Sequence, residues 1–351
     1  MNLTLFIGNS YSWKFTTSEV QSAVGKENVT IKLEVIPLSN LFEHEEVLDN
    51  IINADQKGYP SLTTLKQDII KRGFLHPVLA QYLQQSRKWV LADGTHRLKA
   101  MQSLDSKFIV GMKLKKENYR RDCWVKTLPN CPKFNYFLPL EILKRNYPKT
   151  IIINTVSPEE RATFLAQNCK HDLLAYINSS NQAYEVINRC PEDRFTHLKI
   201  IKEIDALFES SEKDYKTRDE LTIDHDSFIL LPPPIDEEHD MSYLVDHEKL
   251  RRMKGSRTVL AVRPVYFSIP FDMLQQSENE IYNYLAEGIN ESLANSSLGT
   301  IYTYKSSITS LDPSWYSHTL LVGNKRFLLL EASNEIEKNN LENLFIPLIE
   351  Q

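Results

Sequence analysis

With 351 residues, of which 42% are hydrophobic and 25% charged, the chain has the material for a large buried core and for two or three domains. Lys and Arg number 41 against 46 Asp and Glu, and the resulting net charge of −5 excludes a general attraction to nucleic acid or to an anionic membrane. Cys123, Cys131, Cys169 and Cys190 are widely spaced, with no C-x-x-C pair and no zinc-finger spacing, so they read as reduced thiols in a cytoplasmic protein.

The opening segment, Met1 to Gly8, lacks a basic start and its apolar run is too short for a secretory signal; no later run approaches the roughly 20 apolar residues of a membrane span. The first thirty residues give no motif and are expected to add a strand or two to the main domain. Ile31, Leu33 and Val35 then alternate as a half-buried strand does, and Pro37 turns the continuation into a loop. Glu43-His44-Glu45-Glu46 leads into Val47, Leu48, Ile51 and Ile52 at helical spacing, so the carboxylates are expected in a first helical turn, where the dipole favours them. The pattern predicts an amphipathic helix over Leu62 to Arg72, stopped by Gly73. Phe74 to Ala80 reads as a loop feeding a strand, and Gln84 to Arg87 as the turn to a second strand, Trp89 to Leu91.

Asp93-Gly94 breaks that strand, and Leu98, Met101 and Leu104 recur behind it at helical spacing. A helix starting just after Gly94 leaves several N–H groups without intrahelical partners and turns the positive end of its dipole outward, which makes a seat for phosphate. Asp93, His96 and Arg97 would surround that seat with a carboxylate able to hold a metal ion, an imidazole and a bidentate guanidinium. Phe108 to Met112 supplies one more strand.

Beyond Tyr119 the pattern is weaker. Cys123 to Lys126 reads as a strand, Pro129, Pro132, Pro139 and Pro148 punctuate a loop-rich passage, and Pro158 to Arg161 opens a helix. Another helix is expected over His197 to Phe208, an exposed charged connection over Glu209 to Asp226, and a strand over Phe228 to Leu231. Asp236 to Asp240 reads as a solvated acidic turn, because consecutive residues do not all point at one ion, and His225 and His247 read as incidental. A helix over Glu280 to Leu293 and strands at Tyr302 to Tyr304, Thr319 to Val322 and Phe327 to Glu331 complete the chain.

The order of strand, acidic segment, helix, Gly-x-x-x-Pro loop, hairpin, Asp-Gly-Thr-His-Arg and helix resembles the ParB and sulfiredoxin nucleotide-binding fold over about residues 30 to 115. Within it, the chain resembles the free L-serine kinases that make O-phosphoserine. Their His-Glu pair is matched by His44-Glu45 and their Asp-Gly-His-His-Arg turn by Asp93-Gly94-Thr95-His96-Arg97, with Thr95 replacing one histidine. Their Lys-Thr-Thr-Arg-His segment is matched by Lys254-Gly255-Ser256-Arg257-Thr258, where Gly255 and Thr258 depart from the pattern.

The resemblance implies an α+β chain with three parts. Residues 1–118 would form a ParB/sulfiredoxin-like nucleotide-binding domain, 119–275 a second α/β lobe completing the active site, and 276–351 a C-terminal helix with antiparallel strands. It implies transfer of a phosphoryl group from ATP or ADP, with Mg²⁺, to free L-serine, with neither membrane nor nucleic acid as partner. Glu45 would be the catalytic base, with Asp93 and His96 beside it; Gly94, Thr95, His96 and Arg97 would hold the nucleotide, and Asp93 the metal. His44, Trp124, Ser256 and Arg257 would contact the substrate. Sulfiredoxin activity is disfavoured, because that chemistry needs a cysteine where Thr95 stands. A ParB-like nucleotide-dependent DNA-binding or regulatory protein, or a non-catalytic nucleotide sensor, is the alternative from another class; against the former, no helix-turn-helix with a basic recognition helix follows residue 115.

Overall fold

The computed structural model describes residues 2–16, 28–44, 61–115, 119–123, 125–128, 137–156, 173–178, 183–188, 214–216, 227–230, 256–260, 262–265, 269–294, 301–303, 318–322 and 325–329, with a few single positions between 193 and 245. Two compact units divide the chain: residues 1–120 together with 258–351, and residues 121–257.

In the first unit, β1 (Asn2–Ile7), β2 (Tyr11–Thr16), β3 (Asn28–Pro37), β4 (Leu41–Glu43), α1 (Leu62–Arg72), β5 (Val78–Leu83), β6 (Lys88–Asp93), α2 (Thr95–Ser103) and β7 (Phe108–Lys113) follow one another. The strands form a seven-stranded mixed sheet in the order β2-β1-β3-β7-β5-β6-β4. The strands expected ahead of residue 31 are β1 and β2. The alternation in β3 buries Val29, Ile31, Leu33 and Val35, each with under 5% exposure. Burial of such a side chain is worth about 1.5–3 kcal/mol, which is why register is fixed here.

Glu43 departs from expectation: it ends strand β4 instead of opening a helix. Pro37 closes β3, a 3-10 turn (Leu38–Asn40) redirects the chain, and β4 then pairs in parallel with β6. The helix expected from Val47 lies outside the described residues. Helix α1 has the predicted bounds, and its ends show why. The Ser61 hydroxyl accepts from the Thr64 N–H at 3.2 Å, Lys71 and Arg72 occupy the last turn, and Gly73 ends the helix at φ 85°. The predicted hairpin is β5–β6 and is antiparallel.

In the second unit, β9 (Val125–Leu128), β10 (Ile151–Val156), β11 (Leu173–Asn178), β12 (Ala183–Asn188), β13 (Asp214–Lys216) and β14 (Ser227–Leu230) form a six-stranded antiparallel sheet in the order β10-β12-β11-β14-β9-β13. The strand expected over Cys123 to Lys126 is two, β8 (Tyr119–Cys123) and β9. Helix α3 (Phe137–Asn146) occupies a passage read as loop; Pro139 is its third residue, inside the first turn, where a missing N–H costs the helix no internal bond. The charged stretch 209–226, expected as an exposed connection, contributes β13. The helix expected at Pro158 and the acidic turn at Asp236 lie outside the described residues; Lys199, Ile200 and Glu203 of the helix expected over His197 to Phe208 are helical.

Strand β15 (Ser256–Leu260) pairs with β8 in a two-stranded sheet. The first unit then resumes with β16 (Val262–Val265), a 3-10 turn (Phe271–Gln275), α4 (Glu278–Ala294), β17 (Ile301–Thr303), β18 (His318–Val322) and β19 (Lys325–Leu329). The last strands make the expected antiparallel sheet, in the order β16-β19-β18-β17. A capping box starts α4: the Ser277 N–H donates to Glu280 Oε2 at 2.9 Å and the Glu280 N–H to Ser277 Oγ at 3.4 Å. The helix is fastened to β2 and β3 by three hydroxyl or indole donors. Tyr282 Oη donates to Glu34 (3.0 Å) while accepting from the Val35 N–H (3.2 Å), Tyr11 donates to Asn283, and Trp13 to Asn290.

Candidate functional site

Three segments of the first unit meet at the C-terminal end of β6. Strand β6 runs in parallel beside β4, with Leu41 opposite Trp89, Phe42 opposite Val90 and Glu43 opposite Leu91. On its other side β5 pairs with Asp93 through Leu79 and with Leu91 through Ala80, so Ala92 is an extra residue, a bulge. A bulge bends the strand and re-aims the side chain that follows. Here that side chain is Asp93, 47% exposed.

Gly94 then turns the chain at φ 109°, ψ 29°. Only glycine takes this conformation without strain, and space demands it as well: a Cβ there would lie 2.7 Å from Val78 Cγ1 and 3.0 Å from Arg97 Nη2. Helix α2 begins at Thr95. Its first internal bond is from the Leu98 N–H to the Gly94 carbonyl at 2.9 Å, and no acidic residue stands in its first turn. The positive end of its dipole therefore lies at the turn, a place suited to an anion.

His44, directly after β4, is 5% exposed, and its Nδ1 lies 2.8 Å from the Leu91 carbonyl oxygen. A carbonyl only accepts, so Nδ1 carries the proton and, in the neutral ring, Nε2 carries the lone pair. Glu43, 7% exposed, takes Lys99 Nζ on Oε2 at 2.9 Å. Arg97 is held by three donations. Its Nη1 donates to the carbonyls of His76 (2.7 Å) and Pro77 (2.6 Å), and its Nη2 to Asp93 Oδ2 (3.2 Å).

Of the residues expected from the sequence, the structure gathers Asp93, Gly94, Thr95, His96 and Arg97 in one turn with His44 beside them. Ser256 and Arg257 open β15, and their side chains, like Glu45 and Trp124, lie outside the described residues. Sequence reasoning missed Lys99, which follows Arg97 by two positions, and gave Glu43 a capping role. The one signal was the proximity of each to a motif residue. Among the described residues no three His, Cys, Asp or Glu side chains gather as a metal cage, and no helix is long and apolar enough to cross a membrane.

No family model matches the chain, and none of the curated proteins does. Among solved structures it is similar to SbnI with C-terminal truncation from Staphylococcus aureus, at 13% identity and a TM-score of 0.55, over 74% of this chain and 96% of that one. It is also similar to a free serine kinase in complex with AMP, at 14% identity and a TM-score of 0.45 over 69% of this chain and 93% of that one. A conserved hypothetical protein from Pyrococcus furiosus is similar at 16% identity and a TM-score of 0.41, over 69% and 97% of the two chains. The likeness to SbnI is one of fold: the chain shares its architecture, and that architecture is the α+β class that the order of the motifs led one to expect.

Proposed function

We propose that the chain is a small-molecule kinase that transfers a phosphoryl group from ATP or ADP to the hydroxyl of free L-serine, giving O-phospho-L-serine. The observation that carries this reading is the turn from Asp93 to His96: a left-handed glycine at a helix start, an exposed carboxylate and an imidazole, set at the end of a parallel strand pair. Phosphoryl transfer asks mainly for positioning and charge neutralisation, and backbone N–H groups at a helix start provide both for a polyphosphate.

In this reading the N–H groups of Thr95 and His96, with the His96 ring, hold the phosphate that is transferred. Glu45 takes the proton of the serine hydroxyl as the serine oxygen bonds to phosphorus and the bond to the leaving ADP or AMP breaks. A base of this kind contributes about 10²–10⁴-fold in rate. His44 contacts the amino acid from its place beside Leu91, and Trp124, Ser256 and Arg257 complete the serine pocket, the guanidinium gripping the carboxylate as a planar fork. Mg²⁺ commonly takes one or two protein carboxylates and fills its remaining positions with phosphate and water, and Asp93, exposed and steadied by Arg97, suits that use. Bound there, the ion would supply charge neutralisation on the phosphates.

The test is phosphorus NMR of the purified chain with Mg²⁺, L-serine and either ATP or ADP. A serine-dependent phosphomonoester signal that disappears in the Glu45→Ala variant is the expected result. Nucleotide binding without product from either donor would overturn the kinase reading and favour a nucleotide sensor, for which the Thr95 and Thr258 departures are the motivating features.

A further inference from the structure

Arg97 sits where a phosphate ligand is expected, but its guanidinium is committed elsewhere. It is 16% exposed, and three donations leave it facing the protein: two to consecutive backbone carbonyls, His76 and Pro77, and one to Asp93. The carbonyls belong to the loop between α1 and β5. At the start of that loop Phe74 makes a reciprocal pair of backbone bonds with Ile269, N–H to carbonyl at 2.7 Å and 3.1 Å. The loop is thus held at one end by the returning chain and at the other by Arg97. The guanidinium also lies directly against Gly94, where a Cβ would meet Nη2 at 3.0 Å and Cζ at 3.1 Å.

From this geometry we infer that Arg97 is a positioning residue. It ties the loop 73–77 to the turn 93–96 and sets the direction in which Asp93 and the first N–H groups of α2 point, while the anion is met by backbone and by His96. The fork of a guanidinium can serve two carbonyls and a carboxylate together; an ammonium on a flexible stem cannot hold the same three in one geometry. A direct phosphate contact, by contrast, would largely survive replacement by lysine, itself a common phosphate binder.

The test compares Arg97→Lys with Arg97→Ala and the unaltered chain. Its first arm is amide hydrogen exchange without nucleotide, read at the bonded amides Gly73 and Phe74 of the loop and at Leu98, whose N–H is bonded to the Gly94 carbonyl of the turn. The expected result is exchange about tenfold or more faster at both sets in both variants, since lost charge-assisted bonds lower the local opening free energy. Unchanged exchange in Arg97→Lys, or acceleration confined to the loop, overturns the inference. The second arm rests on the kinase reading: kcat should fall about tenfold or more in Arg97→Lys while the nucleotide KM stays within about threefold. A nucleotide KM raised in Arg97→Ala but preserved in Arg97→Lys would mark a phosphate ligand, and an unchanged kcat with faster exchange a purely structural bond; either result overturns the assignment. Absence of serine kinase activity in the unaltered chain would fell the proposed function and leave the exchange arm to decide this one.

Discussion

Replacing Lys99 with Met strips a nearly buried carboxylate of the cation it is paired with. Glu43 is 7% exposed and Lys99 31%, with Nζ and Oε2 2.9 Å apart. Two unit charges at about 4 Å attract by about 4 kcal/mol at the effective dielectric of a protein surface. Desolvation offsets part of this, and breaking a fully buried pair costs about 3–5 kcal/mol. The partial exposure of Lys99 lowers the figure to about 2 kcal/mol, or a fall in Tm of about 4–8 °C for a unit of this size. The roles of the two partners are unequal. Glu43→Met leaves a lysine that can swing into water and should cost under about 1 kcal/mol; the double variant should match Glu43→Met closely, giving a coupling of about 2 kcal/mol. Urea denaturation of the four proteins measures the cycle, and repeating it in 0.5 M salt should leave most of the coupling, since a pair this shielded is weakly screened. Additivity within about 0.3 kcal/mol would refute the reasoning and reduce the pair to an ordinary surface contact.

Gly94→Ala should destabilise the first unit by about 2–4 kcal/mol, combining backbone strain at φ 109° with the Cβ contact on Val78; thermal unfolding within 1 °C of the unaltered chain would contradict this. Tyr282→Phe removes the acceptor of the Val35 N–H and the donor to Glu34, at a cost of about 1–3 kcal/mol. It should also alter the response to alkali. Burial raises the Tyr282 hydroxyl above its ordinary range, the Val35 bond opposes this, and the Glu34 charge adds to it. The folded state therefore keeps a proton that the unfolded state releases near pH 10, and stability declines as pH rises above about 10. Denaturation midpoints at pH 8 and pH 11 should draw closer together in the phenylalanine variant, and an unchanged difference would refute the assignment.

The parts of the fold legible in the sequence are those fixed by neighbours in the chain. Helix α1 announced its end through Gly73, α4 showed an apolar face at helical spacing, and β3 announced itself through the alternation of Ile31, Leu33 and Val35. In the second unit the strands near Val125 and Phe228 were readable, but their pairing was opaque for the opposite reason. Strand β9 pairs with β14, whose residues lie about a hundred positions away, and such a pairing leaves no local period to read. Helix α3 was hidden by Pro139, a residue that breaks a helix in its interior but not in its first turn. Glu43 was misplaced because its acidic neighbours imitate a helix start, whereas its position on β4 is decided by pairing with β6.

The candidate site divides along the same line. Asp93-Gly94 was readable because a carboxylate and a left-handed turn are properties of residue types, but the acceptors of Arg97 are backbone carbonyls, which every residue has. What the fold adds is a way to hold the start of α2. Residues two apart on a helix point about 200° from each other, so Arg97 and Lys99 leave α2 on nearly opposite flanks, one toward the loop before β5 and the other toward the end of β4. Each reaches a different segment, and the acceptors are of different kinds: a pair of carbonyls on one flank, a nearly buried carboxylate on the other. A helix tied on both flanks cannot roll about its axis without breaking one of the two sets of bonds. In the proposed reading, the direction of its first N–H groups is then set before phosphate arrives, which spares binding the cost of ordering them.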